Sequence, residues 1–300
     1  MVNSGKPNLI ISDSKGAWFR ATILFILALI GTVGMWSVVV FIPDIEREFN
    51  LDRGTSSLLY AFTMIGFGFG TVVIGKIYDK FGIKKPILLA TIVLIACYYL
   101  YSIFPFYWQF LTLQFFMGFA ASAFFGPAMA DISNYFNKQR GFALSIVASA
   151  NYVAGATWPL LIGYFLKFID WRTTHFWISI CLLIMIPLIL LLKNASVDES
   201  KFQDTKQRYK DIKLNLSNNQ IQVLLMLAGI CCCVAMAMPQ VHMVALCVDN
   251  GFGLQVGTEI LAVMLYSGML SRIVFGMISD RIGPVSVSYT HLRAHENRYD

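Results

Sequence analysis

Charge is what this sequence has least of. Asp, Glu, Lys and Arg make up 13% of its 300 residues, about half the roughly 25% of soluble proteins. The shortage is concentrated. No charged residue occurs in Ala21 to Ile42, Thr55 to Gly75, Pro86 to Ala130, Gly141 to Leu166, Thr173 to Leu192 or Leu214 to Val248, and Ile260 to Ser279 holds one, Arg272. A surface helix of a globular protein needs a charged face, and these runs have none, which excludes a water-soluble domain. A bilayer core about 30 Å thick takes roughly 20 apolar residues per helix. The run from Pro86 holds two such lengths, with a turn near Pro105-Phe-Tyr-Trp108. Eight spans are predicted, and because lipid offers backbone groups no water, they are helices.

Other absences narrow the class further. The six cysteines lie almost entirely inside the predicted spans, so no disulfide framework is expected; Cys231-Cys232-Cys233 reads as small apolar packing. A cleavable signal peptide is not expected, because the first 20 residues are polar and the first apolar run is too long for one. No nucleophile–base pair or metal-ligand cluster is apparent, so neither an enzyme nor a cofactor is expected. The lone His242 reads as structural.

The net charge of +6 is distributed by topology. Loops on one side of the predicted spans hold Lys6, Lys15, Arg20, Lys76, Lys80, Lys84, Lys85, Lys138, Arg140, Lys193, Lys201, Lys206, Arg208, Lys210, Lys213 and Arg281, whereas the alternate loops hold Arg47, Arg53, Lys167 and Arg172. Sixteen against four puts the N-terminus in the cytoplasm. A multi-pass protein of the cell (inner) membrane is expected, with the lipid bilayer and not nucleic acid as its surroundings.

Two loops repeat. Gly75-Lys-Ile-Tyr-Asp79-Lys80-Phe-Gly82 and Gly276-Met-Ile-Ser-Asp280-Arg281-Ile-Gly283 share the pattern G-x-x-x-D-[KR]-x-G at the ends of spans two and eight. Parallel six-span halves are a mark of secondary transporters, and the polar segment 193–219 reads as the linker between halves.

Through these paired motifs the chain resembles a major facilitator superfamily transporter. Tyr135-Phe136-Asn-Lys138-Gln-Arg140-Gly-Phe-Ala143 is similar to the segment opening span five in monocarboxylate porters and oxalate/formate-type antiporters. Gly31-Thr-Val-Gly34-Met-Trp36 keeps the glycines and one Trp of the porters' first-span motif but lacks its acid, so proton coupling through that motif is not expected. The resemblance implies an all-α membrane fold of twelve spans, of which this sequence holds eight. It divides the chain into a cytoplasmic segment 1–20, a six-helix half 21–192, the linker 193–219, the first two helices of a second half 220–286, and a tail 287–300.

The resemblance also assigns roles. Asp79 faces the N-terminus of a helix from the other half and holds the cytoplasmic gate shut, with Gly75 and Gly82 shaping its loop. Lys80 and Lys84 are expected to pair with Asp131 at the end of span four, near Arg140, in one transport state only. Gly276, Asp280, Arg281 and Gly283 are the matching gate residues of the second half. Gly118, Ser122, Gly126 and Ala130, spaced by four on span four, read as a stripe for close helix packing, as do Gly66 and Gly70 on span two.

Arg272 is the sharpest single feature. It precedes Asp280 by eight residues, about 12 Å along a helix, and so lies near mid-membrane. Its side chain leans toward its helix N-terminus, away from the nearer interface, and Gly268, Gly276, Ser267 and Ser271 surround it on the helix surface. No acid lies at equal depth in the eight spans. In the carboxylate transporters that the chain resembles, an arginine here binds the substrate carboxylate; a structural arginine held by backbone carbonyls is the other reading. Trp36, Tyr152 and Gln114 are further candidates for the substrate pocket, or plain packing. Gln114 stands where many drug and sugar-phosphate relatives carry arginine.

Val287 to Glu296 coincides residue for residue with one translation frame of a transposase sequencing adapter. The spacing of His291 and His295 is therefore not read as a metal site, and the gene is expected to continue for about four more spans. The expected function is transport of small organic anions, mono- or dicarboxylates, with a coupled proton or an exchanged anion as the candidate partner. A transporter of another solute class, such as a drug exporter, and a transporter-like receptor are the alternatives.

Overall fold

The structure, a computed structural model, describes residues 13–192 and 217–282. Most of the expected linker, Gly283 and the tail 287–300 lie outside the described residues. The described residues contain helices and no strand. Helices α1 (Lys15–Gly31) and α2 (Val33–Phe49) form the first span. Then come α3 (Arg53–Phe81), α4 (Lys84–Ile103), α5 (Tyr107–Ala121), α6 (Gly126–Ser133), α7 (Arg140–Phe165), α8 (Trp171–Cys181), α9 (Met185–Leu191), α10 (Asn218–Asp249) and α11 (Gly253–Ile282). Seven stretches among the residues searched are long and apolar enough to cross a membrane, and α10 occupies the place of the seventh expected span.

Local chemistry sets the boundaries. Asp52 and Asp170 cap α3 and α8, accepting from the Thr55 and Thr173 amides at 3.1 and 2.9 Å. Gly82 ends α3 at a φ of +71°, a conformation that costs an L side chain energy; this accounts for the last glycine of the first loop motif. Span four is not one helix. A 3-10 turn at Ser122–Phe124 separates α5 from α6, because Pro127 has no N–H to continue the α-ladder. The expected four-residue stripe therefore breaks. Gly118 meets the Thr63 backbone, and Gly66 and Gly70 meet the Phe115 and Phe119 backbones, but Gly126 faces open space.

Two clips tie the helices before residue 192 together. At the end bearing the lysine-rich loops, hereafter the basic end, Arg20 grips Asp131 through Nε at 2.6 Å and Nη2 at 2.9 Å, with both side chains 5–7% exposed. This corrects two expectations. Arg20 is not in a loop but inside α1, and Asp131 pairs with it and not with Lys80 or Lys84. The physical reason is burial: the Asp131 carboxylate points inward, where α1 supplies a guanidinium, while the Lys80 ammonium lies over the Phe81 ring on the exposed side. The Tyr135-Phe136 motif belongs to the same clip. Arg20 stacks 4.8 Å from the Tyr135 ring and Trp18 meets Phe136 at 4.8 Å. Asp13 accepts from the amides of Asn137, Lys138 and Gln139. At the opposite end, Arg172 bonds Glu48 and the Phe104 carbonyl, both at 2.6 Å, while Trp171 also donates to Glu48.

Candidate substrate site and the seam around it

Helices α7 and α11 run antiparallel in a single register. From the far end to the basic end, Gly163 faces Thr258, the hydroxyls of Thr157 and Tyr266 meet at 3.0 Å, Gly155 faces Leu265, Tyr152 faces Gly268, and Ser145 and Gly141 face Gly276. Small residues are required here: a Cβ on Gly276 would collide with Ser145, and one on Gly141 with the Asp280 carboxylate. The face of α11 that carries Gly268 and Gly276, which in the sequence reads as the lining of a wet cavity, packs against α7 at both glycines.

Arg272 sits midway along the seam and reaches across it. Nη1 donates to the Ala148 carbonyl at 3.2 Å, Nη2 donates to the Tyr152 hydroxyl at 3.3 Å, and the guanidinium carbon lies 4.4 Å from the Tyr152 ring centroid. The Tyr152 hydroxyl in turn faces the Met236 sulfur of α10 at 3.4 Å. Among the described residues no carboxylate lies within ion-pair distance of Arg272. A guanidinium carries five N–H donors, so two moderate hydrogen bonds leave it able to take a further acceptor.

The other candidates divide. Trp36 packs against Gly155 and donates from its indole N–H to Asn151 at 3.0 Å, one residue from Tyr152, so it braces α7 beside the arginine. Gln114 does not join this group. It is buried between α3, α4 and α5, accepting from Thr63 at 2.9 Å and donating to the Tyr101 hydroxyl at 3.3 Å. Its amide holds that helix interface and is sealed from the seam. Asn151, Thr157, Tyr266 and the Ala148 carbonyl were missed in the sequence; a lone Asn inside the apolar run from Gly141 was the one available cue.

At the basic end the Asp280 carboxylate accepts from the amides of Gly141 and Phe142 at 2.6 and 2.8 Å. These are bare first-turn donors of α7, where an anion gains from the helix dipole. The second loop motif thus fastens α11 to α7. Asp79, its counterpart on α3, is exposed, and Asp79, Lys84, Arg140 and Arg281 form no ion pair among the described residues. At the opposite end Arg53 of α3 bonds Asp249 of α10 through Nη2 at 2.7 and 3.0 Å, and its Nε lies 3.1 Å from Glu46.

A sequence profile described as Major Facilitator Superfamily matches residues 24–290. The chain belongs to that superfamily. Superfamily members are transporters and not enzymes, and the chain is a multi-pass integral membrane protein. Among curated proteins it is 24% identical over 256 residues to an agnestins efflux protein of Paecilomyces divaricatus, an alignment covering 83% of this chain and 57% of that protein. It is 27% identical over 225 residues to an MFS-type transporter of Aspergillus niger, covering 73% of this chain and 50% of that one. A fujikurins efflux protein of Gibberella fujikuroi is 34% identical over 97 residues, 32% of this chain and 21% of its own length. The chain thus spans about half the length of the first curated relatives it matches.

Proposed function

We propose that the whole protein is a secondary active transporter that moves a small organic anion, a mono- or dicarboxylate, across a cell membrane by alternating access, with its N-terminus cytoplasmic. The observation that carries this is Arg272: a cation inside the helical bundle, held by one carbonyl and one hydroxyl, with no carboxylate in reach among the described residues. An intramembrane charge is costly unless an anion meets it. A guanidinium offers a carboxylate two parallel hydrogen bonds, and the Tyr152 ring under Arg272 limits its tilt. The first-span motif Gly31 to Trp36 holds no acid, so a coupled proton would have to be carried outside that motif, and an exchanged anion is the other means of coupling. In this reading Asp280 with Gly276 and Arg281, and Asp79 with Gly75, Lys80, Gly82, Lys84 and Arg140, belong to the cytoplasmic gate.

The names of the relatives favour a second reading, export of a metabolite of another class. One experiment separates them. Binding of a panel of mono- and dicarboxylates is measured by calorimetry on the complete transporter and on Arg272→Lys and Arg272→Ala. Losing a desolvated charge-assisted pair costs about 2–5 kcal/mol, roughly 30-fold to several thousand-fold in affinity. Lysine should recover part of that, since it keeps the charge but not the fork. An Ala variant binding within a factor of about two of the parent refutes the assignment. A parent that binds a neutral metabolite and none of the panel supports the exporter reading.

A further inference from the structure

We infer that the Arg53–Asp249 pair, with Glu46 behind it, is the gate at the end opposite the basic loops. The inference rests on the alternating-access reading but not on the identity of the substrate. Two kinds of charge contact exist among the described residues. Arg20–Asp131 and Arg172–Glu48 join helices that all precede residue 192, and Arg47–Asp44 lies within α2 itself. Arg53–Asp249 instead joins α3 to α10, across 196 residues of sequence, as Asp280 joins α11 to α7 at the other end. A contact that crosses between the two sets of helices must break if they rock apart, whereas one inside a set can ride along.

The geometry suits a gate that opens. Arg53 is held at its base by Glu46, whose carboxylate also takes the Ser56 hydroxyl. Its Nη2 is thereby aimed outward to both oxygens of Asp249. When Asp249 leaves, Arg53 keeps a partner and need not be stranded. The crossing arm is the solvated one: the Asp249 side chain is 56% exposed against 15% for Glu46. A pair this exposed is weak and screened by salt. Solvent therefore reaches the crossing arm before the anchoring one.

The test is the distance between spin labels on Arg47→Cys and Phe252→Cys, both exposed positions at this end, in the complete transporter in lipid with its other cysteines replaced. Asp249→Asn should raise the population at the longer distance about two- to five-fold. Glu46→Gln, which leaves the crossing arm intact, should not raise it. Raising salt from about 0.01 M to about 1 M shortens the screening length from roughly 30 to 3 Å; this should open the parent and leave Asp249→Asn unchanged. An Asp249→Asn population equal to the parent's overturns the inference. If that variant does not fold, the salt titration of the parent decides, and no change across it overturns the inference equally. Because no substrate enters the measurement, its outcome is independent of Arg272.

Discussion

Replacing Asp131 by Asn in the complete protein tests whether the buried clip at the basic end holds the first six spans together. Arg20 and Asp131 are 5% and 7% exposed and meet through a two-point fork at 2.6 and 2.9 Å. Asn keeps the shape and removes the carboxylate charge that faces the buried guanidinium. Breaking a buried pair on one side costs about 3–5 kcal/mol. For a folding unit of roughly 150–250 residues, each kcal/mol moves the midpoint about 2–4 °C, so the thermal midpoint in detergent should fall by roughly 6–20 °C. Arg20→Met with Asp131→Leu removes both charges and should recover most of the loss, because an apolar pair of similar volume is often neutral or better. The spin-label distance at the opposite end should not change, since both residues lie on helices before residue 192. A midpoint for Asp131→Asn within about 2 °C of the parent would refute the argument. So would a double variant worse than either single one.

Asp280→Asn should loosen the basic end: with the charge gone from two bonds to helix-start amides, exchange of the Gly141 and Phe142 amides should quicken about 5- to 30-fold. Asp79→Asn should slow flux while leaving membrane insertion intact, and unchanged flux removes Asp79 from the gate. The caps Asp52 and Asp170 both have pKa values shifted below the ordinary carboxylate value, for Asp52 by the Thr55 hydroxyl and for Asp170 by the Thr173 amide. Their folded pKa being the lower one, the stability they add is present above the unfolded value of about 3.9 and is lost as pH falls through the folded value. The midpoint should therefore drop below about pH 4, and drop less in Asp52→Asn/Asp170→Asn, where the amide oxygen still caps but does not titrate; equal drops would refute this.

The spans were legible because composition alone dictates them, and the repeat was legible because its glycines and acids recur at matched helix ends. Arg272 was legible as an isolated charge. What could not be read was pairing between distant segments. Arg20 looked like one more cytoplasmic cation, because nothing local marks it as buried beside a residue 111 positions away. Gln114 looked like a pocket residue because polarity in an apolar run is ambiguous until its neighbours are known; Thr63 and Tyr101 consume it. The break in span four was written in Pro127, but the regular spacing of small residues around it suggested continuity.

The single register of α7 against α11 makes the pair a lever. From Thr258 at the far end to Asp280 is 22 residues, about 33 Å of helix. If the far end acts as the fulcrum, a rotation of about 6° carries Asp280 some 3.5 Å from the Gly141 and Phe142 amides, beyond any hydrogen bond. The same rotation moves Arg272, about 21 Å from the fulcrum, by roughly 2 Å, which takes its bond to the Ala148 carbonyl out of range as well. Freeing the arginine and unlatching the basic end are thus one motion at two radii, and no separate relay between them is needed.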